Sequence, residues 1–69
     1  MHKFCFEYSR IEAAIRQIVA LRRQRIAAAD AALQRALDYE IGENERIVAL
    51  IRTHIEREMH REHMGLRGA

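Results

Sequence analysis

The chain has 69 residues, 12 Lys and Arg, 10 Asp and Glu, a net charge of +2 and one Cys. This length allows a single small domain, residues 1–69, and excludes barrels, doubly wound sheets and folds that enclose a cofactor. The hydrophobic content of 49% argues against disorder, but a core this small gives little net stability by itself. Because Cys5 cannot form an intrachain disulfide, we expect association with a second subunit or a partner protein.

Residues 1–8 are predicted to form an N-terminal arm. Phe4, Phe6 and Tyr8 alternate with other residues at a period of two, which is typical of a short strand. The arm is either a strand that pairs with a partner or an irregular tail that packs its aromatic rings on the helices. We interpret Cys5 as a buried or half-buried small apolar residue beside Phe4 and Phe6 rather than as a reactive thiol.

The first helix is predicted to span about residues 9–41. Ser9 and Glu12 fit a capping box, in which each side chain accepts a hydrogen bond from the other residue's backbone N–H. Apolar residues then recur at helical spacing, and part of the pattern repeats every eleven residues. An eleven-residue repeat predicts a nearly straight helix.

The second helix is predicted to span about residues 44–64, after a turn at Gly42. Glycine commonly adopts the left-handed conformation that ends a helix, and Asn44 is a favourable N-cap. Residues 65–69 are expected to fray. A single helix that continues through Gly42 is the alternative.

A short turn makes the two helices antiparallel neighbours. The predicted fold is therefore an all-α antiparallel helical hairpin with unequal helices, which dimerises into a four-helix bundle. Facing residues are expected to have numbers that add up to roughly 84, as for a turn centred on Gly42. The predicted structural core consists of Leu33, Leu37, Ile47, Ile51 and Ile55.

The predicted first helix is longer than the second, so roughly 18 Å of its N-terminal part has no second helix packed against it. Exposed apolar patches of this kind usually mark a protein interface. We therefore expect non-enzymatic protein–protein interaction, as in a small adaptor, regulator or co-chaperone that binds a second copy of itself or another protein. The predicted partner-binding residues are Phe4, Phe6, Tyr8, Ile11, Ile15, Ile18 and Val19.

Nucleic-acid binding is the alternative function. Residues 1–29 carry a net charge of +4 and residues 30–45 a net charge of −4, so the predicted hairpin has a basic open end and an acidic turn. A basic end can hold a phosphate backbone, as the architecturally similar dimeric hairpin Rop holds RNA. Ion pairs with Glu58 and Glu62 would cancel much of this field. The candidate residues are Arg16, Arg22, Arg23 and Arg25.

Other functions have weaker support in the sequence. Glu56, His60 and His63 share one helix face and are a weak candidate for a metal site, but no fourth ligand is evident, so no metal or cofactor is expected. The amphipathic first helix could also lie on an anionic membrane surface. The absence of a signal-peptide run and of a membrane span predicts a cytoplasmic protein. The excess of Arg over Lys favours a bacterial source.

Overall fold

The computed structural model describes the backbone of residues 3–68 and the side chains of residues 3–63. It contains two α-helices, α1 (Cys5–Ala27) and α2 (Ala31–Gly68), which pack against each other along a molecule 59 Å long. No strand occurs in the described part of the chain. The predicted all-α hairpin with unequal helices is therefore confirmed, although the longer helix is the second one.

The turn lies at residues 28–30, so the predicted turn at Gly42 is wrong. Ala28 is extended, with φ −75° and ψ 124°, and its carbonyl oxygen accepts a hydrogen bond of 2.7 Å from Nε2 of Gln34. Oδ1 of Asp30 accepts a hydrogen bond of 3.0 Å from the backbone N–H of Ala32. Asp30 is thus the N-cap of α2, because a short acidic side chain here satisfies one of the free N–H groups of the first turn.

Gly42 lies inside α2, and its φ is not positive. The alternative of a helix that continues through Gly42 was correct for this position, although the chain does not form one single helix. Asn44 is not an N-cap either. Its Nδ2 donates a hydrogen bond of 2.9 Å to the carbonyl oxygen of Glu40, one turn earlier in the same helix.

The predicted N-terminal arm and frayed tail are also corrected. Residues 1–2 and 69 lie outside the described residues, but Lys3 and Phe4 form a turn and the helix begins at Cys5. Ser9 therefore lies within α1 and does not cap it, and the backbone N–H of Tyr8 bonds to the carbonyl oxygen of Phe4 at 2.9 Å. At the other end α2 continues to Gly68.

The core follows a heptad pattern in both helices. The heptad positions are separated alternately by three and four residues, and all are apolar and buried except two, which Glu7 and Asn44 occupy. Seven residues in two turns produce a left-handed coiled coil. The expected eleven-residue repeat is wrong, since the pattern that suggested it crosses the turn. The buried residues are Phe4, Ile11, Ala14, Ile18 and Leu21 in the N-terminal part of the chain and Leu37, Ile41, Val48, Ile51 and Ile55 in α2.

Three ion pairs show the register of the two helices. They join Lys3 to Glu62, Arg22 to Glu45 and Arg25 to Asp38, so residue numbers across the hairpin add up to about 65 rather than 84. The core predictions for Leu37, Ile51 and Ile55 are confirmed. Those for Leu33 and Ile47 are wrong, because both side chains are exposed.

Candidate protein-interaction surfaces

Three of the seven predicted partner-binding residues belong to the hairpin core. Phe4, Ile11 and Ile18 are at most 9% exposed and pack in one cluster with residues of α2. The overhang that made them candidates does not exist, because the turn at residues 28–30 lets α2 cover the whole of α1. These residues stabilise the fold and are not free to contact a partner.

Three of the remaining candidates form an exposed apolar surface on one side of α1. Tyr8, Ile15 and Val19 are 48%, 42% and 43% exposed and lie seven and four residues apart, on one helix face. Shallow grooves beside them run between the helices, where α2 contributes Arg52 and Met59. We call Tyr8, Ile15 and Val19 the α1 surface.

A second exposed apolar surface lies beside a different groove. Phe6, the last of the predicted interface residues, is 70% exposed and lines this groove together with Ile47 and Leu50 of α2. Arg10 and His54 also line it, and the Arg10 guanidinium lies 5.9 Å from the centre of the Phe6 ring. Glu45 pairs with Arg22 and lines the same groove as Ile15, so it lies on the side of the hairpin that carries the α1 surface. In the heptad pattern of α2, Ile47 and Leu50 lie on the other side of the buried row from Glu45.

The sequence prediction missed the role of Ile47 and Leu50. Both belong to the apolar pattern of the second helix, and this pattern contains two rows rather than one. Val48, Ile51 and Ile55 form the buried row, whereas Ile47 and Leu50 precede Val48 and Ile51 by one residue each and project to its side. The sequence signal for this second row is its own series of spacings of three and four residues, beside that of the buried row.

Glu7 has an unusual environment in the groove beside Phe6. It occupies a core position of the heptad pattern, and its Oε2 is buried without a hydrogen-bond partner among the described residues. Such an oxygen is costly to desolvate. Its position in the first turn of α1 offsets part of this cost, because the N-terminal end of a helix attracts negative charge.

Three of the four arginines proposed to bind nucleic acid are already in ion pairs. Arg16 contacts Glu12 at 2.5 Å, Arg22 contacts Glu45 at 3.2 Å and Arg25 contacts Asp38 at 2.6 Å. The pKa of Arg25 is raised by its hydrogen bond to the Asp38 carboxylate and by the charge of that carboxylate.

The expected arrangement of charge is therefore wrong. Arg22 and Arg25 lie in the C-terminal part of α1, toward the turn, and pair with Glu45 and Asp38 of α2, so they do not form a basic open end. The expected partners are also wrong, since Glu58 contacts Arg61 and Glu62 contacts Lys3. Arg23, the fourth candidate, is exposed in α1.

The weak metal candidate is not assembled into a site. Glu56, His60 and His63 lie along α2, but no group of three or more His, Cys, Asp or Glu among the described residues is arranged to hold a metal ion. Cys5 is exposed rather than buried among the aromatic rings. In the described part of the chain, neither helix has the length and apolar character that a bilayer crossing requires.

Comparison with known proteins identifies no relative. No protein-family model matches the chain, and no curated protein or solved structure shows significant similarity to it. Function is therefore inferred from the two apolar surfaces and the charges around them.

Proposed function

We propose that this hairpin is a non-enzymatic protein–protein interaction module that dimerises into a four-helix bundle. The observation that supports this proposal is the amount of apolar surface outside the core. Ten large hydrophobic side chains are exposed among the described residues, whereas the core contains nine large hydrophobic side chains and Ala14. They are not scattered evenly, since six of them line the grooves on the two sides of the hairpin. These six are Phe6, Tyr8, Ile15, Ile47, Leu50 and Met59.

Two helices alone bury little surface, which also favours association. No large side chain among the described residues is less than 2% exposed, so even the core remains close to solvent. A second hairpin on either side would turn this two-layer contact into a bundle with an enclosed interior. Small domains commonly obtain the missing apolar burial in this way.

A dimer formed through one side leaves the other side accessible. The α1 surface has the spacing of a helix contact, and its groove combines apolar side chains with the charged Arg52 and Glu56. An amphipathic helix of another protein would fit such a groove. The module would then act as an adaptor that presents two equivalent binding sites per dimer.

The grooves support a binding role rather than catalysis. They are open clefts between two helices, whereas an enzyme site usually surrounds its substrate and excludes water. We do not propose nucleic-acid binding as the function, since the ion pairs of Arg16, Arg22 and Arg25 neutralise most of the candidate basic cluster.

The solution mass of the intact chain tests this proposal. Light scattering after size-exclusion chromatography should give twice the chain mass of 8.1 kDa at both low and high salt, because apolar burial is the main contribution to association. A well-folded, monodisperse monomer at high protein concentration would contradict the proposal. Protein that shows strong absorbance at 260 nm, removed by high salt, would favour nucleic-acid binding instead.

A further inference from the structure

The outer row of α2 carries charges in an order that is complementary to itself. The row begins with an apolar pair, continues with two acidic residues and an exposed apolar centre, and ends with a histidine and an arginine. Its residues are separated alternately by three and four positions, so they lie on one face of the helix. The row consists of Leu33, Ala36, Glu40, Glu43, Ile47, Leu50, His54 and Arg57.

We propose that a second copy of this chain packs antiparallel on this row, with the twofold axis between Ile47 and Leu50. This inference rests on the proposed function and specifies which surface forms the dimer. The axis places Ile47 against Leu50 of the second copy. It places Glu43 opposite His54 and Glu40 opposite Arg57, and each contact occurs twice, as in any isologous dimer.

The charges of this row are available for such contacts. Among residues 3–63, neither Glu40 nor Arg57 has an ion-pair partner within the hairpin, and Glu43 has only a contact of 3.7 Å to Arg46. Leu50, next to the proposed axis, is 63% exposed. The row therefore combines uncovered apolar surface with Glu40 and Arg57, whose charges form no ion pair among residues 3–63.

The α1 surface is the competing dimer interface, and its charges favour the α2 row. Glu12 and Arg22 flank Ile15 and Val19 in a similar symmetric order. However, Glu12 already contacts Arg16, and Arg22 already contacts Glu45. A dimer on the α1 surface would have to break these contacts to gain equivalent ones.

The charge order also selects the orientation of the second copy. A parallel arrangement in register would place Glu40 against Glu40 and Arg57 against Arg57, and like charges opposite each other are destabilising. The antiparallel axis lies close to the middle of α2, which spans Ala31–Gly68. The two hairpins therefore overlap along almost their whole length.

Charge reversal at Glu40 and Arg57 tests the proposal. Glu40→Arg and Arg57→Glu each replace two attractive contacts of the dimer by two repulsive ones, so each should raise the dimer Kd by about tenfold or more. The double variant restores two opposite-charge pairs across the axis and should return the Kd to within about threefold of the wild-type value. Concentration-dependent sedimentation gives the Kd, and circular dichroism verifies that each variant is helical.

Two control variants separate this interface from the α1 surface. Arg52→Glu reverses an exposed charge of α2 on the other side of the hairpin, and Ile15→Asp disrupts the α1 surface itself. Both should leave the Kd unchanged. Loss of the dimer with Ile15→Asp, or a double variant no better than either single variant, would overturn the α2 interface but leave the proposed function intact. A wild-type chain that is monomeric would contradict the proposed function itself.

Discussion

At the scale of single residues, Gly42 shows how a glycine misleads when it is considered alone. Its position between two apolar patterns resembles a helix end, yet its φ is not positive and it lies inside α2. A Cβ added at Gly42 would meet nothing within 4 Å. Gly42 therefore weakens α2 through its conformational freedom and gains no contact in return.

Gly42→Ala should stabilise the protein by about 0.8–1 kcal/mol, the difference in helix propensity between the two residues. Chemical denaturation at a fixed protein concentration measures this change. If Gly42 were instead the left-handed end of a helix, as the sequence predicted, the same substitution would strain the backbone and lower the stability. The sign of the change thus distinguishes the two positions of the turn.

Single residues alone do not predict the position of the turn; the pattern of core residues is also needed. Asp30 is a good N-cap, but it follows three alanines, which have the highest helix propensity. Residue propensity alone therefore favours a continuous helix here. The structure has a turn here instead, in which Asp30 and Gln34 form hydrogen bonds with Ala32 and Ala28, and the turn lets the two helices bury their apolar faces against each other.

At the scale of the helices, the heptad phase contains the information that the sequence prediction missed. Core positions keep one heptad phase from Phe4 to Leu21 and a second one from Leu37 to Ile55. Extending the first series leads to positions 28 and 32, whereas the second series extends back to position 34. The two series of core positions are therefore offset by two residues near position 30. One continuous helix could not keep both series on the same face.

Leu21 tests this register most clearly, because it is the most buried core residue of α1 at 2% exposure. Leu21→Ala should lower the free energy of unfolding by about 2–4 kcal/mol, since it removes buried methyl groups and leaves a cavity between the helices. Thermal or urea unfolding measures the loss. Ile26→Ala is the matched control, because Ile26 is a branched aliphatic residue of the same helix that is 84% exposed. It should change stability by less than about 0.5 kcal/mol. Equal effects of the two substitutions would contradict the register.

At the scale of the whole molecule, the sequence predicted the hairpin but not its surfaces. Apolar periodicity is enough to indicate two packed helices. Which residues remain outside the core depends on the position of the turn, and moving the turn from 42 to 28–30 moved Ile11 and Ile18 inward and Leu33 and Ile47 outward. Tyr8, Ile15 and Val19 are exposed under both arrangements, in the predicted one because the overhang has no facing helix and in the structure because they lie beside the core row.

The proposed dimerisation and the proposed binding of another protein use different apolar surfaces. In the proposed dimer, the outer row of α2 contacts a second copy of itself, and the α1 surface stays accessible to a helix of another protein. The two surfaces lie on opposite sides of the hairpin, so both can be occupied at once. In the proposed dimer, two hairpins lie side by side along their full length.

Small-angle X-ray scattering of the intact chain tests this arrangement, because it gives mass and length together. We expect a particle of twice 8.1 kDa whose maximum dimension stays close to the 59 Å length of one hairpin. A particle of the mass of one chain, or a dimer nearly twice as long as one hairpin, would contradict it.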